Sequence, residues 1–146
     1  MIRRFAPALC LAGALLSSHA MADAYTSCSG WRIDDTATAL PPCPDRPNCA
    51  AGRWPTRLAD PRQSLRAALL AEPRSRLEFD GARVIVASFR SRLFGFVDEA
   101  VFLLAPDGEI AYRSAACSGY YDFRVNRRRM DRIRARFGPG SEQPGT

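Results

Sequence analysis

Two groups of residues in this sequence have the types and spacing for chemistry, and the first is Asp98-Glu99, adjacent carboxylates inside the apolar run from Leu93 to Leu104. Paired acids serve as general acid and base when they converge on one cleft with separated pKa values. Successive side chains of a strand point to opposite faces, which works against adjacent residues doing so. At least one of the two must then be buried with a partner. All 21 Lys or Arg residues are arginine, and Arg113, on the following strand, is the expected partner. The ordinary role of such a pair is to fix strand register; the functional alternative is a polar group lining a pocket.

The second group is the stretch from Arg113 to Arg136, where eight arginines stand against Asp122 and Asp131. The whole chain has a formal charge of +6, so its net basic character is concentrated here. Such a segment can meet an anionic small molecule, lipid headgroups or an acidic protein. No aromatic interleaving or base-reading motif accompanies the arginines, which argues against nucleic acid. Arg128, Arg132 and Arg136 are expected on a solvated helix face, with Arg127 and Arg134 nearer the apolar edge. Asn126 shares the face of Met130 and Ile133 or else caps the helix.

Several devices of catalysis are missing. The single histidine is His19 and there is no lysine, which removes a histidine relay, histidine metal ligands and a Schiff-base lysine from the body of the chain. No phosphate-cradling glycine loop, nucleophile elbow or metal-ligand spacing is present. No cofactor and no metal are expected.

Arg3-Arg4, the apolar stretch Phe5–Leu16 and Ala20-Met21-Ala22 follow the order of a secretory signal, with cleavage expected after Ala22. The apolar run falls short of the ~20 residues that span a bilayer. Loss of Arg3 and Arg4 takes the formal charge from +6 to +4, and the remaining chain is the size of one domain. Export predicts a periplasmic or secreted protein with oxidised cysteines. Cys28, Cys43, Cys49 and Cys117 allow three pairings. The prolines of Cys43-Pro-Asp-Arg-Pro-Asn-Cys49 bend a short loop and favour Cys43 with Cys49, leaving Cys28 with Cys117. A four-cysteine zinc site would want a closely spaced cysteine pair, and none is present.

The elements that must position these groups follow from periodicity. Residues 23–59 are rich in proline and turn formers and read as an irregular, disulfide-stapled lead-in. Asp60-Pro61 opens a helix with Leu65, Ala68 and Leu69 on one face, ended by Pro73. Strands follow around Leu77–Phe79, Val84–Phe89, Leu93–Leu104 and Ile110–Ala116, with turns at Asp80-Gly81 and Pro106-Asp107-Gly108. A helix from Asn126 to Phe137 stops at Gly138-Pro139, and residues 138–146 read as a disordered tail. The expected fold over 60–137 is α+β, an antiparallel sheet of three to four strands with two helices packed on one side.

Three segments resemble the signature of the bacterial and plastid family called domain of unknown function 1499. They are Cys-Pro-Asp-Arg-Pro-Asn-Cys at 43–49, Phe-Val-Asp at 96–98, and the run from Arg113-Ser114 through Gly119-Tyr120 and Asp122 to Asn126-Arg127 and Arg129. The likeness covers about residues 40–136. Glu99 stands where the family usually has a second aspartate, Arg124 replaces a common glycine, and Ala116-Cys117 replaces a Ser-Arg pair. The last departure removes an arginine from any arginine-lined site the family shares and supports the bridge from Cys117 to Cys28. The family name implies no activity. The expected function is a non-enzymatic binding or accessory module, with Asp98, Glu99, Arg113, Ser114, Asp122, Asn126 and Arg127 as candidate site residues. The alternatives are a small hydrolase using Asp98 with Glu99 or Asp122, and a purely structural protein.

Overall fold

The computed structural model describes residues 24–138; the expected signal segment and the tail beyond Gly138 lie outside them. The elements run β1 (Tyr25–Thr26), β2 (Arg32–Ile33), β3 (Cys49–Pro55), α1 (Pro61–Leu70), β4 (Ser75–Asp80), β5 (Val84–Arg90), β6 (Val97–Leu104), β7 (Glu109–Ala116) and α2 (Val125–Phe137). β1 and β2 form a small ribbon, and the other five strands form one sheet in the order β3-β7-β6-β5-β4. Every pairing in it is antiparallel. The architecture is α+β, as expected, but the sheet has five strands instead of three to four.

The additional strand comes from the segment expected to be irregular. β3 carries no strong alternation, and its register is imposed from outside: it pairs along β7 from Cys49 opposite Ala115 to Pro55 opposite Glu109. Trp54 anchors it, 2% exposed and packed at tilted angles against Tyr112 and Phe102. Gly52 lets the Tyr112 ring lie flat on the strand, since a Cβ there would fall 2.7 Å from the phenol oxygen. Pro55, which has no N–H to donate, ends this edge strand.

The central strands are apolar on both faces because both faces are covered. Ala100 and Phe102 of β6 join Ile85, Ala87 and Phe89 of β5 against Leu65, Leu69, Met130 and Ile133 of the two helices. Val101 and Leu103 turn the other way with Val84 and Val86, beneath Ile33 and Trp31 of the lead-in. The lead-in is held there by Asp35. Its carboxylate accepts N–H bonds from Ala82, Arg83 and Val84 at 2.7, 2.9 and 2.9 Å. Burial works to raise the Asp35 pKa, and these donors outweigh it and hold it below the usual carboxylate value.

Local signals set the helix starts. Asp60 accepts from the Gln63 backbone N–H at 2.9 Å, with Pro61 opening α1. β6 begins at Val97 instead of Leu93, because Ser91 closes a loop onto Phe96. The Ser91 N–H donates to the Phe96 carbonyl at 2.8 Å and the Phe96 N–H donates to Ser91 Oγ at 3.0 Å. Leu93, Phe94 and Phe96 are thereby placed in solvent.

Candidate functional site

The adjacent acids of β6 diverge as strand geometry requires, and each has a separate set of partners. Asp98 faces α2, where Arg129 Nη2 donates to its Oδ2 at 2.7 Å. The same guanidinium lies 4.6 Å from the centre of the Phe89 ring. Glu99 faces the lead-in, where its Oε2 accepts from the Tyr25 hydroxyl at 2.8 Å and the Cys28 N–H at 3.1 Å. Burial, followed by the hydrogen bond and negative charge of Glu99, raises the Tyr25 pKa well beyond the usual phenol range.

The expected partnership of Asp98 with Arg113 is corrected here. β6 pairs Val101 with Arg113 and Asp98 with Ala116. Asp98 and Val101 are three positions apart, so Arg113 points to the opposite face of the sheet. There its guanidinium stacks 4.0 Å over Trp31 and donates to the Pro42 carbonyl at 3.4 Å. Burial lowers the Arg113 pKa, and the negative charge of Glu99 partly counters this.

On the helix side, Asn126 is the centre of a polar network. Its side-chain oxygen accepts from Ser114 Oγ at 2.6 Å and from Arg129 Nη1 at 3.1 Å. Its Nδ2 donates to Asp122 Oδ2 at 2.9 Å and to the Asn48 carbonyl at 3.4 Å. Asn48 in turn donates to the Gly119 carbonyl at 2.6 Å. Among the described residues no buried side-chain nitrogen or oxygen lacks a hydrogen-bond partner. Asp98, Ser114 and Asn126 are therefore sealed into the structure, and the loop from Cys117 to Arg124 is tied to the sheet through them.

Two candidates remain open to solvent. Asp122 and Arg127 line a cleft of about 490 Å³ together with Pro47, Cys49, Tyr121 and Arg124. Both Asp122 oxygens are engaged in folding the loop: Oδ1 accepts from the Arg124 N–H at 2.9 Å and Oδ2 from the Asn126 N–H at 3.0 Å. Arg124 and Arg127 make no side-chain ion pair among the described residues. Phe123 and Arg124 have φ of 52° and 61°, two successive left-handed residues at the cleft edge. Such backbone strain concentrates at functional sites. Arg124 stands where the resemblance places a common glycine, and the positive φ gives the physical reason for glycine there.

Both expected disulfides are formed, Cys28 with Cys117 and Cys43 with Cys49. Cys43–Cys49 closes the loop that contributes Pro47 to the cleft. Cys28 and Cys117 lie beside Glu99 as a three-residue group with metal-binding proximity, but both sulfurs are joined in the bridge. A second cleft of about 370 Å³ lies there, lined among others by Tyr25, Arg74, Arg76, Arg90 and Glu99.

Sequence reasoning missed Arg129 and Asn48 as members of the network. Arg129 follows Asn126 by three residues, a spacing that puts both on one helix face. Asn48 had a signal in the cysteine loop, where it is flanked by Pro47 and Cys49.

The fold and site define a disulfide-stapled α+β module with a sealed ion-pair network beneath an arginine-edged cleft. A family model described as protein of unknown function (DUF1499) matches residues 39–137, and the chain belongs to that family. No curated protein matches it. No helix among the described residues is long and apolar enough to cross a membrane.

Proposed function

We propose that the protein is an exported, non-enzymatic binding module, periplasmic or secreted after cleavage at Ala22. Its cleft between the Cys43–Cys49 loop and the start of α2 takes an anionic small molecule. The observation that carries this reading is the charge distribution inside the cleft. Arg124 and Arg127 line it without ion-pair partners among the described residues, while the one acid, Asp122, is engaged by the N–H groups of Arg124 and Asn126. A guanidinium pair beside a rigid disulfide loop suits a carboxylate or phosphate group. Tyr121 adds an aromatic wall.

The acids favour binding over hydrolysis. Asp98 is buried against Arg129 and Glu99 points to the other face, so the two carboxylates have no common cleft. Two formed disulfides accord with an oxidising compartment.

The test is side-chain NMR of the arginine Nε–Hε groups during titration with inorganic phosphate, citrate and a neutral sugar. Arg124 and Arg127 signals are expected to shift with the anions and not with the sugar, and Arg127→Gln is expected to weaken the response about tenfold. Unmoved arginine signals, or equal shifts with the neutral sugar, would remove the reading.

A further inference from the structure

The two loops that meet at one end of the sheet expose an unusual amount of apolar surface. The β5–β6 loop presents Leu93, Phe94 and Phe96, which are 83%, 75% and 58% exposed. The β7–α2 loop presents Tyr120, Tyr121 and Phe123, at 65%, 56% and 74%. Antiparallel pairing places the loops side by side, since the Cys117 N–H donates to the Val97 carbonyl at 2.9 Å. Within each loop the rings form pairs, Phe94 with Phe96 at 5.6 Å and Tyr121 with Phe123 at 4.9 Å between centres. Each loop is fixed by hydrogen bonds of its own, through Ser91 in one and Asn48 and Asp122 in the other. The rings are thus held outward by an ordered backbone.

The charges along these loops are mostly basic, and Glu78, which lines a cleft with Arg90, is matched there by Arg74 and Arg76. Arg90 and Arg92 flank the first loop, and Arg124, Arg127 and Arg128 follow the second; all five are exposed. From residue 88 to 97 there is no acid, and from 117 to 128 there is only Asp122, whose oxygens bind the Arg124 and Asn126 N–H groups. Projecting rings bordered by arginines match the interface of an anionic bilayer. Tyrosine rings settle at headgroup depth, phenylalanine rings enter the boundary between headgroups and acyl chains, and guanidinium groups reach the phosphates while their stems stay in the apolar layer. Solvent-exposed apolar patches of this kind mark interaction surfaces.

We propose that this end of the molecule docks on anionic phospholipid membranes, with Phe94, Phe96, Tyr120 and Phe123 entering the interface and Arg90, Arg92 and Arg128 contacting headgroups. The docking surface does not depend on the cleft reading, because Phe94 and Phe96 lie outside the cleft. The protein is held peripherally, and the cleft opens at the same end, close to the lipid surface.

The test is co-flotation of the full chain with vesicles of phosphatidylcholine alone and of phosphatidylcholine mixed equally with phosphatidylglycerol. Flotation with the mixed vesicles, reversed by salt, is the expected result. Phe94→Ser with Phe96→Ser is expected to weaken it about tenfold or more. Tyr120→Ser with Phe123→Ser is expected to act alike, and Arg90→Gln with Arg92→Gln to remove the preference for the anionic lipid. All these positions are exposed, and circular dichroism checks that each variant is folded. Absence of flotation, equal flotation with both vesicle types, or flotation unchanged by the aromatic substitutions overturns the proposal. The last outcome would assign binding to the apolar stretch at 5–16. Lipid-independent self-association abolished by the same substitutions also overturns it, giving the surface to a second copy of the chain.

Discussion

Arg129 of α2 and Asp98 of β6 form an ion pair at 2.7 Å, with their side chains 7% and 9% exposed, and this contact joins the helix layer to the centre of the sheet. Asn126 and Phe89 complete the surroundings of the guanidinium. A buried pair of this kind adds little over an apolar replacement of both partners, but removing one partner strands the other charge.

Asp98→Ala is therefore expected to destabilise the protein by about 3–5 kcal/mol in urea unfolding, and Arg129→Met to have a comparable effect. The double variant Asp98→Leu with Arg129→Met should recover much of the loss. A double variant as unstable as the sum of the singles would show that the pair does not act as a unit.

Glu72 gives a pH prediction. It is 3% exposed and accepts from Arg132 Nη2 at 2.9 Å and from Arg136 Nη1, tying the end of α1 to α2. Burial works to raise its pKa, but the two arginines outweigh burial and leave it below the usual carboxylate value. A lowered folded pKa means that the stabilisation is complete above the unfolded value, about 4.3, and is lost as pH falls through the folded one. Because both arginines are partly exposed, each pair contributes at most about 1 kcal/mol. Thermal unfolding of Glu72→Gln should be less stable than wild type at neutral pH, with the difference shrinking in acid; a constant difference across that range would contradict this.

The two disulfides are expected to contribute unequally. Cys28–Cys117 spans a sequence separation of 89 residues and Cys43–Cys49 one of 6. In the chain-entropy picture their loss costs about 4.5 and about 2 kcal/mol respectively. Paired serine substitutions compared by calorimetry check the order, and a larger loss from Cys43→Ser with Cys49→Ser would reverse it.

Arg124 separates stability from binding. Its φ of 61° is strained for a side-chain-bearing residue. Arg124→Gly is expected to raise stability by about 1 kcal/mol while weakening anion binding in the cleft. A variant that binds phosphate as well as wild type would place the recognition elsewhere.

The secondary structure was largely legible in the sequence where local physics decides it. Asp60-Pro61 marks a helix start through capping, and Asp80-Gly81 marks a hairpin through turn geometry. Alternation along a strand sent Asp98 and Glu99 to opposite faces. The bent cysteine loop favoured one disulfide, and with four cysteines the other pair followed. The reading of β3 failed because its pairing is long-range: Cys49–Pro55 becomes a strand through the β7 edge and the Tyr112 ring seated over Gly52.

The sequence by itself determined that a buried carboxylate of β6 needs compensating donors, because burying an unpaired charge is prohibitively costly, and that any cation among them is an arginine, because no lysine is available. Only the tertiary structure decided which arginine. The β6–β7 register turned Arg113 to the lead-in, and α2 brought Arg129 over Asp98. Register and helix docking depend on how whole apolar surfaces fit together, information spread over residues far apart in the chain. The same packing gathered Phe94, Phe96, Tyr120 and Phe123 at one end, a surface that no single stretch of the sequence contains.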